Sequence, residues 1–315
     1  MQLVVFQGLT PHGDWKHLSE NSFKIMNIEK INITCADGVV LAARLVVPSS
    51  LPKAVVQINS ATATPKEYYA NFANYLAQNG FVVCYYDYRG ICESQPLGGL
   101  KGCDYQYLDW PMLDMPAVLD YLDGRFENLP KLIVGHSVGG QKIGLMPNLN
   151  KIKGMFTFAT SAGYWGNMPW AYRLQTHFFF EIVRPITHFL FGYTATKKLG
   201  LMEDLPKNIT NTWRDWCSVP DYFFDERFLG KTVPKGYYNA IPFAIKVYWA
   251  SDDPISNHKN ITNFWKHIKS TQRIDIEELK PENFKVKSIG HFGFFRKTFK
   301  ESLWPIALKD LETMC

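Results

Sequence analysis

Short apolar runs rich in β-branched residues recur along this chain, each followed by a loop and then a helical pattern, and that rhythm limits the fold more than any other feature. Residues 54–58, 81–86, 131–134, 155–159, 243–250 and 284–288 read as buried strands. Before them, residues 29–48 read as a hairpin in which Ile31, Ile33 and Cys35 alternate with polar residues and Asp37-Gly38 supplies the turn. Thr64, Pro65 and Glu67 form a helix start with a capping box, and the helix is expected to run to Asn79 and stop at Gly80. Two more helices are expected over 112–122, with Gly124 as the stop, and over 257–269. Strands alternating with helices in this way indicate a parallel sheet covered on both faces.

The rhythm fails between Ser161 and Pro242, a stretch holding Trp165, Trp170, Trp213, Trp216 and the run Phe178-Phe179-Phe180. A structureless loop of about 80 residues is foreign to a compact domain, so this stretch reads as a helical insertion standing over the sheet. The expected division is a core of 1–160 and 243–315 with a lid of 161–242. The first two dozen residues carry no comparable pattern and are expected to form an arm packed on the core.

Composition excludes several classes. Of the 315 residues 46% are apolar, 15% aromatic and only 20% charged, which rules out wholesale disorder. A net charge of +5 with no run of five basic residues gives no reason to expect a nucleic-acid partner. The apolar run Leu3 to Phe6 has no basic residue before it and does not read as a secretory signal. The longest apolar stretch, 177–193, is interrupted by Glu181, Arg184 and Pro185, so no transmembrane segment is expected. Six cysteines without CxxC spacing read as free thiols in a reducing compartment, and a soluble cytoplasmic protein is expected, with its oligomeric state left open.

The sharpest chemical signal is Gly135-His136-Ser137-Val138-Gly139-Gly140, directly after the strand Leu132-Ile133-Val134. G-x-S-x-G puts a serine on a sharp strand-to-helix turn, where glycines on either side allow close approach. The bare pattern arises by chance in roughly one chain in ten of this length, so its weight comes from the strand before it and the helical pattern after it. A serine hydroxyl needs a base to take its proton and a carboxylate to orient that base. Among eight histidines, His291 has the most suggestive setting, between Gly290 and Gly293 after the last expected strand. His136 adjoins Ser137, but neighbouring side chains point apart, so it is not expected to be the base. For the acid, Asp253 is preferred to Asp252, because an acid followed by Pro-Ile sits where the chain turns back to the sheet. The oxyanion donors expected are the N–H of Val138 and that of Ala61, with Thr62 as the alternative.

These residues give the chain a resemblance to the α/β-hydrolase superfamily from Glu29 to about Ala307. It is most similar to a branch of predicted serine hydrolases. The resemblance rests on Asp87-Tyr88-Arg89-Gly90 with Ser94, on Val134 to Gln141 around the serine, on Trp213-Arg214-Asp215-Trp216-Cys217, and on Gly290 to Arg296. It implies an α/β fold with a mainly parallel eight-stranded sheet, helices on both faces, and a helical lid inserted after the sixth strand. It further implies ester or related acyl hydrolysis without a metal or organic cofactor, on a small acyl ester. Two positions depart from the pattern. Asn59-Ser60 replaces the usual His-Gly of the oxyanion loop. Cys92 stands where a glycine is expected, so a positive φ there carries a steric penalty; the alternatives are a thiol near the pocket, open to alkylation, and an ordinary buried one.

An aromatic-rich lid favours a hydrophobic acyl group, since burial is worth about 25 cal/mol per Å². Phe178, Phe179, Ile182, Ile186, Phe189 and Leu190 make one apolar surface if this segment is helical, lining a pocket or packing the lid to the sheet. A membrane-surface role for the stripe lacks a flanking cluster of Lys and Arg. Trp213 and Trp216 are expected in the core. Two further readings stay open: an acyltransferase using the same three residues, and a ligand-binding member of the fold without turnover.

Overall fold

The computed structural model describes residues 27–315, and the expected N-terminal arm lies outside them. Eight strands form one sheet in the order β1-β2-β4-β3-β5-β6-β7-β8. The hairpin is β1 (Asn27–Thr34) and β2 (Val40–Val47), with Gly38 at φ +85° in the turn. β2 runs antiparallel to β4 (Phe81–Tyr86), and every later pairing is parallel. β3 (Ala54–Asn59), β4 and β5 (Lys131–His136) are buried along their whole length, as strands covered on both faces must be. β5 runs through Gly135 to His136 rather than stopping before that glycine, because the ladder with β6 (Ile152–Phe158) continues to the pair His136 and Phe158.

Two cores flank the sheet. On one face Phe72 and Leu76 of α1 (Ala70–Gln78) pack with Trp304 and Leu311 of a C-terminal helix, Trp304–Thr313. On the other, Val118 and Leu122 of α2 (Met115–Arg125) join Ile261 and Phe264 of a helix over His258–Trp265. α2 passes through Gly124 to Arg125, so that glycine does not stop it. The His258–Trp265 helix ends short of the expected Lys269, which instead donates its N–H to Tyr238.

The start of the first helix departs from its expected capping box. A 3₁₀ turn, Lys66–Tyr69, precedes α1; Thr64 Oγ1 turns back to Thr62 O (3.3 Å) and Glu67 reaches Arg44 (3.3 Å). The buried Asp87, just past β4, does the capping from a distance, accepting from Lys66 N at 2.7 Å and from Lys66 Nζ at 2.7 Å.

The final strand also lies elsewhere. β8 is Ile274–Leu279, paired parallel to β7 (Ala244–Ala250), while residues 284–288 follow a 3₁₀ turn and bend at Lys285, φ +55°. β8 is an edge strand of sequence Ile-Asp-Ile-Glu-Glu-Leu, and three of its charged residues hide the apolar signal that marks the inner strands. Asp275 there pairs with Lys246 of β7 at 2.8 Å.

Between β6 and β7 the chain leaves the sheet as a helical lid. It begins with Trp170–Phe178, passes through a π-helical turn, Phe179–Val183, and continues as Arg184–Phe191, with a further helix over Lys207–Cys217. Among the described residues no helix is long and apolar enough to cross a membrane.

Candidate active site

Ser137 sits between β5 and the short helix Val138–Gln141 at φ +51°, ψ −115°, a conformation that an L-residue holds only when its surroundings enforce it. The enforcement is visible in the glycines. A Cβ on Gly135 would stand 2.7 Å from Gly140 Cα, one on Gly139 would run into the Asn59 carbonyl, and one on Gly140 into the Thr157 and Thr160 hydroxyls. Ser137 N donates to Phe158 O (2.9 Å), and its carbonyl accepts from Gly140 N, Gln141 N and Thr160 Oγ1 at 3.0 to 3.1 Å.

Asp253 and His291 meet across the loops after β7 and β8. Nδ1 of the imidazole lies 2.7 Å from Asp253 Oδ2, and both side chains are buried. The other carboxylate oxygen accepts from Ile255 N (2.8 Å) and Ser256 N (3.0 Å), so the acid is fixed by the turn that Pro254 begins. Ser256 Oγ lies 3.5 Å from the same ring nitrogen and donates to Ala159 O at 2.7 Å. Asp252 has a different task. It accepts from Ser288 Oγ (2.5 Å), Ile289 N (3.0 Å) and Gly290 N (3.0 Å), tying down the loop that carries His291.

His136 lies behind the serine in a directed chain of hydrogen bonds. The His291 carbonyl can only accept, so Nε2 of His136, 2.9 Å away, carries the proton. Nδ1 then accepts from the Tyr69 hydroxyl (2.7 Å), whose oxygen accepts from Ala61 N (2.9 Å). Burial, with the His291 ring next, holds the His136 imidazole well below the usual histidine range, which keeps it neutral. The N–H of Ala61, the first of the two expected oxyanion donors of this loop, is given to Tyr69. Thr62 is braced in turn, with Oγ1 2.6 Å from Tyr107 OH, and Lys142 Nζ donates to Tyr107 O at 2.5 Å. Nothing in the sequence marks Tyr69 or Lys142 for these tasks, since both come from helical segments without a motif.

Asn59, in place of the usual histidine, is fully buried; it accepts from Gln57 Nε2 (2.9 Å) and Tyr86 OH (2.8 Å) and donates to Gly139 O (3.4 Å). Cys92 does take a positive φ, +40°, but burial, with Asp87 and Glu203 adding to it, pushes its thiol up to about 12. It therefore stays protonated, which favours the ordinary thiol of the two alternatives. Among the described residues no group of three or more His, Cys, Asp or Glu is placed to hold a metal ion.

Ser137, Val138, Ala61, Thr62 and His291 line one cavity of about 1020 Å³. Solved structures share this framework across nearly the whole chain. An esterase of Pyrococcus furiosus superposes with a TM-score of 0.58 at 15% identity, covering 91% of each chain. A carboxyl esterase of Bacillus coagulans gives 0.56 at 14%, covering 92% of this chain and 99% of its own. A hypothetical protein of Pseudomonas aeruginosa gives 0.57 at 14%, covering 98% and 100%. The chain has the α/β-hydrolase fold. A family model described as serine aminopeptidase, S33, matches residues 50–198, a span that includes Ser137 but neither Asp253 nor His291. No protein of curated function matches the sequence significantly.

The lid supplies the far wall of the cavity through Met168, Tyr172, Phe179, Phe180, Met202 and Trp213. Trp213 packs against the core as expected and lines the cavity as well, and Trp216 is buried as expected. Of the expected lid stripe only Phe178 and Phe179 reach the cavity; Ile182, Ile186, Phe189 and Leu190 turn to solvent. The π turn at Phe179–Val183 is one physical reason, because its wider pitch rotates the later residues away from an ideal helical register.

Proposed function

We propose that the chain is a serine hydrolase that cleaves an ester or thioester of a hydrophobic acyl group. In this reading Ser137 attacks the acyl carbonyl while His291 Nε2 takes its proton. His291 later returns that proton to the leaving group, and water repeats the sequence to release the acid. Asp253 holds Nδ1 and with it the tautomer that leaves Nε2 free to act as base. The N–H groups of Val138 and Thr62 receive the developing oxyanion. Residues 161–242 act as the lid of a core formed by 1–160 and 243–315.

The observation that carries this reading is the 2.7 Å bond between Asp253 and His291, with Ser137 on its positive-φ turn lining the same cavity. The apolar lid wall supports the hydrophobic acyl group. The test is labelling by a fluorophosphonate together with turnover of nitrophenyl esters of increasing chain length. Labelling and turnover that vanish in Ser137→Ala, with a preference for longer chains, are expected. Undiminished labelling of that variant refutes the nucleophile, and a preference for the shortest ester refutes the substrate class.

A further inference from the structure

Trp170, Leu174, Phe178, Ile182, Ile186 and Leu190 recur every fourth residue along the lid and all are exposed, Trp170 at 74%, Leu174 at 63% and Leu190 at 61%. Phe189, beside them, is 89% exposed. A spacing of four drifts around a helix of 3.6 residues per turn, and the wider turn at Phe179–Val183 takes back part of that drift. Single exposed apolar side chains are ordinary, whereas a continuous row of large ones marks a contact surface. The row also enters the cavity: Leu174, Phe178 and Leu201 are exposed at the surface and line the cavity wall as well. One apolar strip thus runs from the space above Ser137 out over the lid.

The charges beside the strip have a sign. Residues 170–204 carry Arg173, Arg184, Lys197 and Lys198 against Glu181, Glu203 and Asp204; Glu181 is paired with Arg214 at 2.8 Å and Glu203 with Lys197 at 2.9 Å, so that Arg173 and Lys198 are left without an ion pair among the described residues. The fold adds Lys101, whose side chain packs against Gly192 at the end of the Arg184–Phe191 helix. The linear sequence lacks a basic cluster next to the stripe; tertiary structure supplies part of one.

We propose that this face adsorbs to an anionic lipid layer, with the lid row entering the acyl region and Lys101, Arg173 and Lys198 meeting the headgroups. A lipid layer is the occupant whose chemistry matches both the row and the cavity wall continuous with it. Adsorption scales with the buried apolar area and with attraction to anionic headgroups. The delivery of an acyl ester from that layer to Ser137 rests on the hydrolase reading above; adsorption does not.

The experiment is co-sedimentation of the whole chain with phosphatidylcholine vesicles, with and without about 30% phosphatidylglycerol. Binding that is stronger on the anionic vesicles, and weaker in about 0.5 M salt, is expected. The double variant Phe189→Ser/Leu190→Ser loses at least about tenfold in vesicle partitioning. Lys101→Glu/Lys198→Glu falls to the level seen on phosphatidylcholine alone. Neither pair lines the cavity, so both variants keep turnover of a short, dissolved nitrophenyl ester. Absence of wild-type sedimentation overturns the proposal, as does unchanged binding by Phe189→Ser/Leu190→Ser. A dimer in sedimentation equilibrium that this double variant dissociates, without vesicle binding, assigns the face to a second copy and also overturns it. Vesicle binding by a protein that hydrolyses no ester leaves adsorption standing and removes the hydrolase reading.

Discussion

The Tyr69 hydroxyl stands 2.7 Å from Nδ1 of His136 and 2.9 Å from the amide of Ala61, and so joins the loop after β3 to the residue before Ser137. Tyr69→Phe removes both bonds and leaves a buried acceptor and a buried donor without their partner. The expected cost is about 1–3 kcal/mol of folding stability, read from urea denaturation midpoints at constant m. Unchanged stability would mean that the two groups find other partners without strain.

Asp252 and Asp253 are adjacent but separable. Asp253→Asn keeps the side-chain volume yet favours the wrong imidazole tautomer, so kcat is expected to fall by about 10³–10⁴ with the fold intact. Asp252→Asn weakens the three bonds that hold residues 288–290, and a smaller loss, about tenfold to a hundredfold, is expected through misplacement of His291. Steady-state kinetics on a nitrophenyl ester checks both, and equal losses would refute the division of labour.

Acid is expected to destabilise this protein through His136. Its folded imidazole is held well below the usual value by burial, while in the unfolded chain it titrates near 6.5. As pH falls below about 6.5 the unfolded state takes up a proton that the folded state refuses, so stability is complete above that pH and declines beneath it. His136→Gln keeps a donor toward His291 O and removes the titration. Its stability is expected to change less between pH 7.5 and pH 5 than that of the wild type, measured by denaturant melts at each pH; equal slopes would exclude His136 as the source.

The inner strands and the G-x-S-x-G turn were legible because burial on both faces leaves an unbroken apolar signature, and because Ser137 needs glycine neighbours wherever it occurs. The pairing of Asp253 with His291 was legible from their places after β7 and in a glycine-flanked loop. β8 was not, since an edge strand with one solvated side can carry Asp275, Glu277 and Glu278. The helix start at Lys66 was misread for another reason: its cap is Asp87, far along the chain, and local pattern cannot see a tertiary partner that displaces Thr64 and Glu67. The Ala61 amide was assigned to the oxyanion for the same reason, because its actual acceptor, Tyr69, is a contact made only by the folded chain.

The lid separates β6 from β7 in sequence, yet the two strands pair side by side from Gly154↔Ala244 to Phe158↔Tyr248. Loop closure over such a distance costs little more than over a shorter one at equilibrium, but it slows the search. The turn bearing Ser137 can form from residues already at hand, while Asp253 and His291 arrive only after the ribosome has finished the lid and the sheet has closed around it. A nascent chain therefore carries Ser137 before the pair proposed to serve it, and the proposed site is completed by the last long-range pairing rather than by the first.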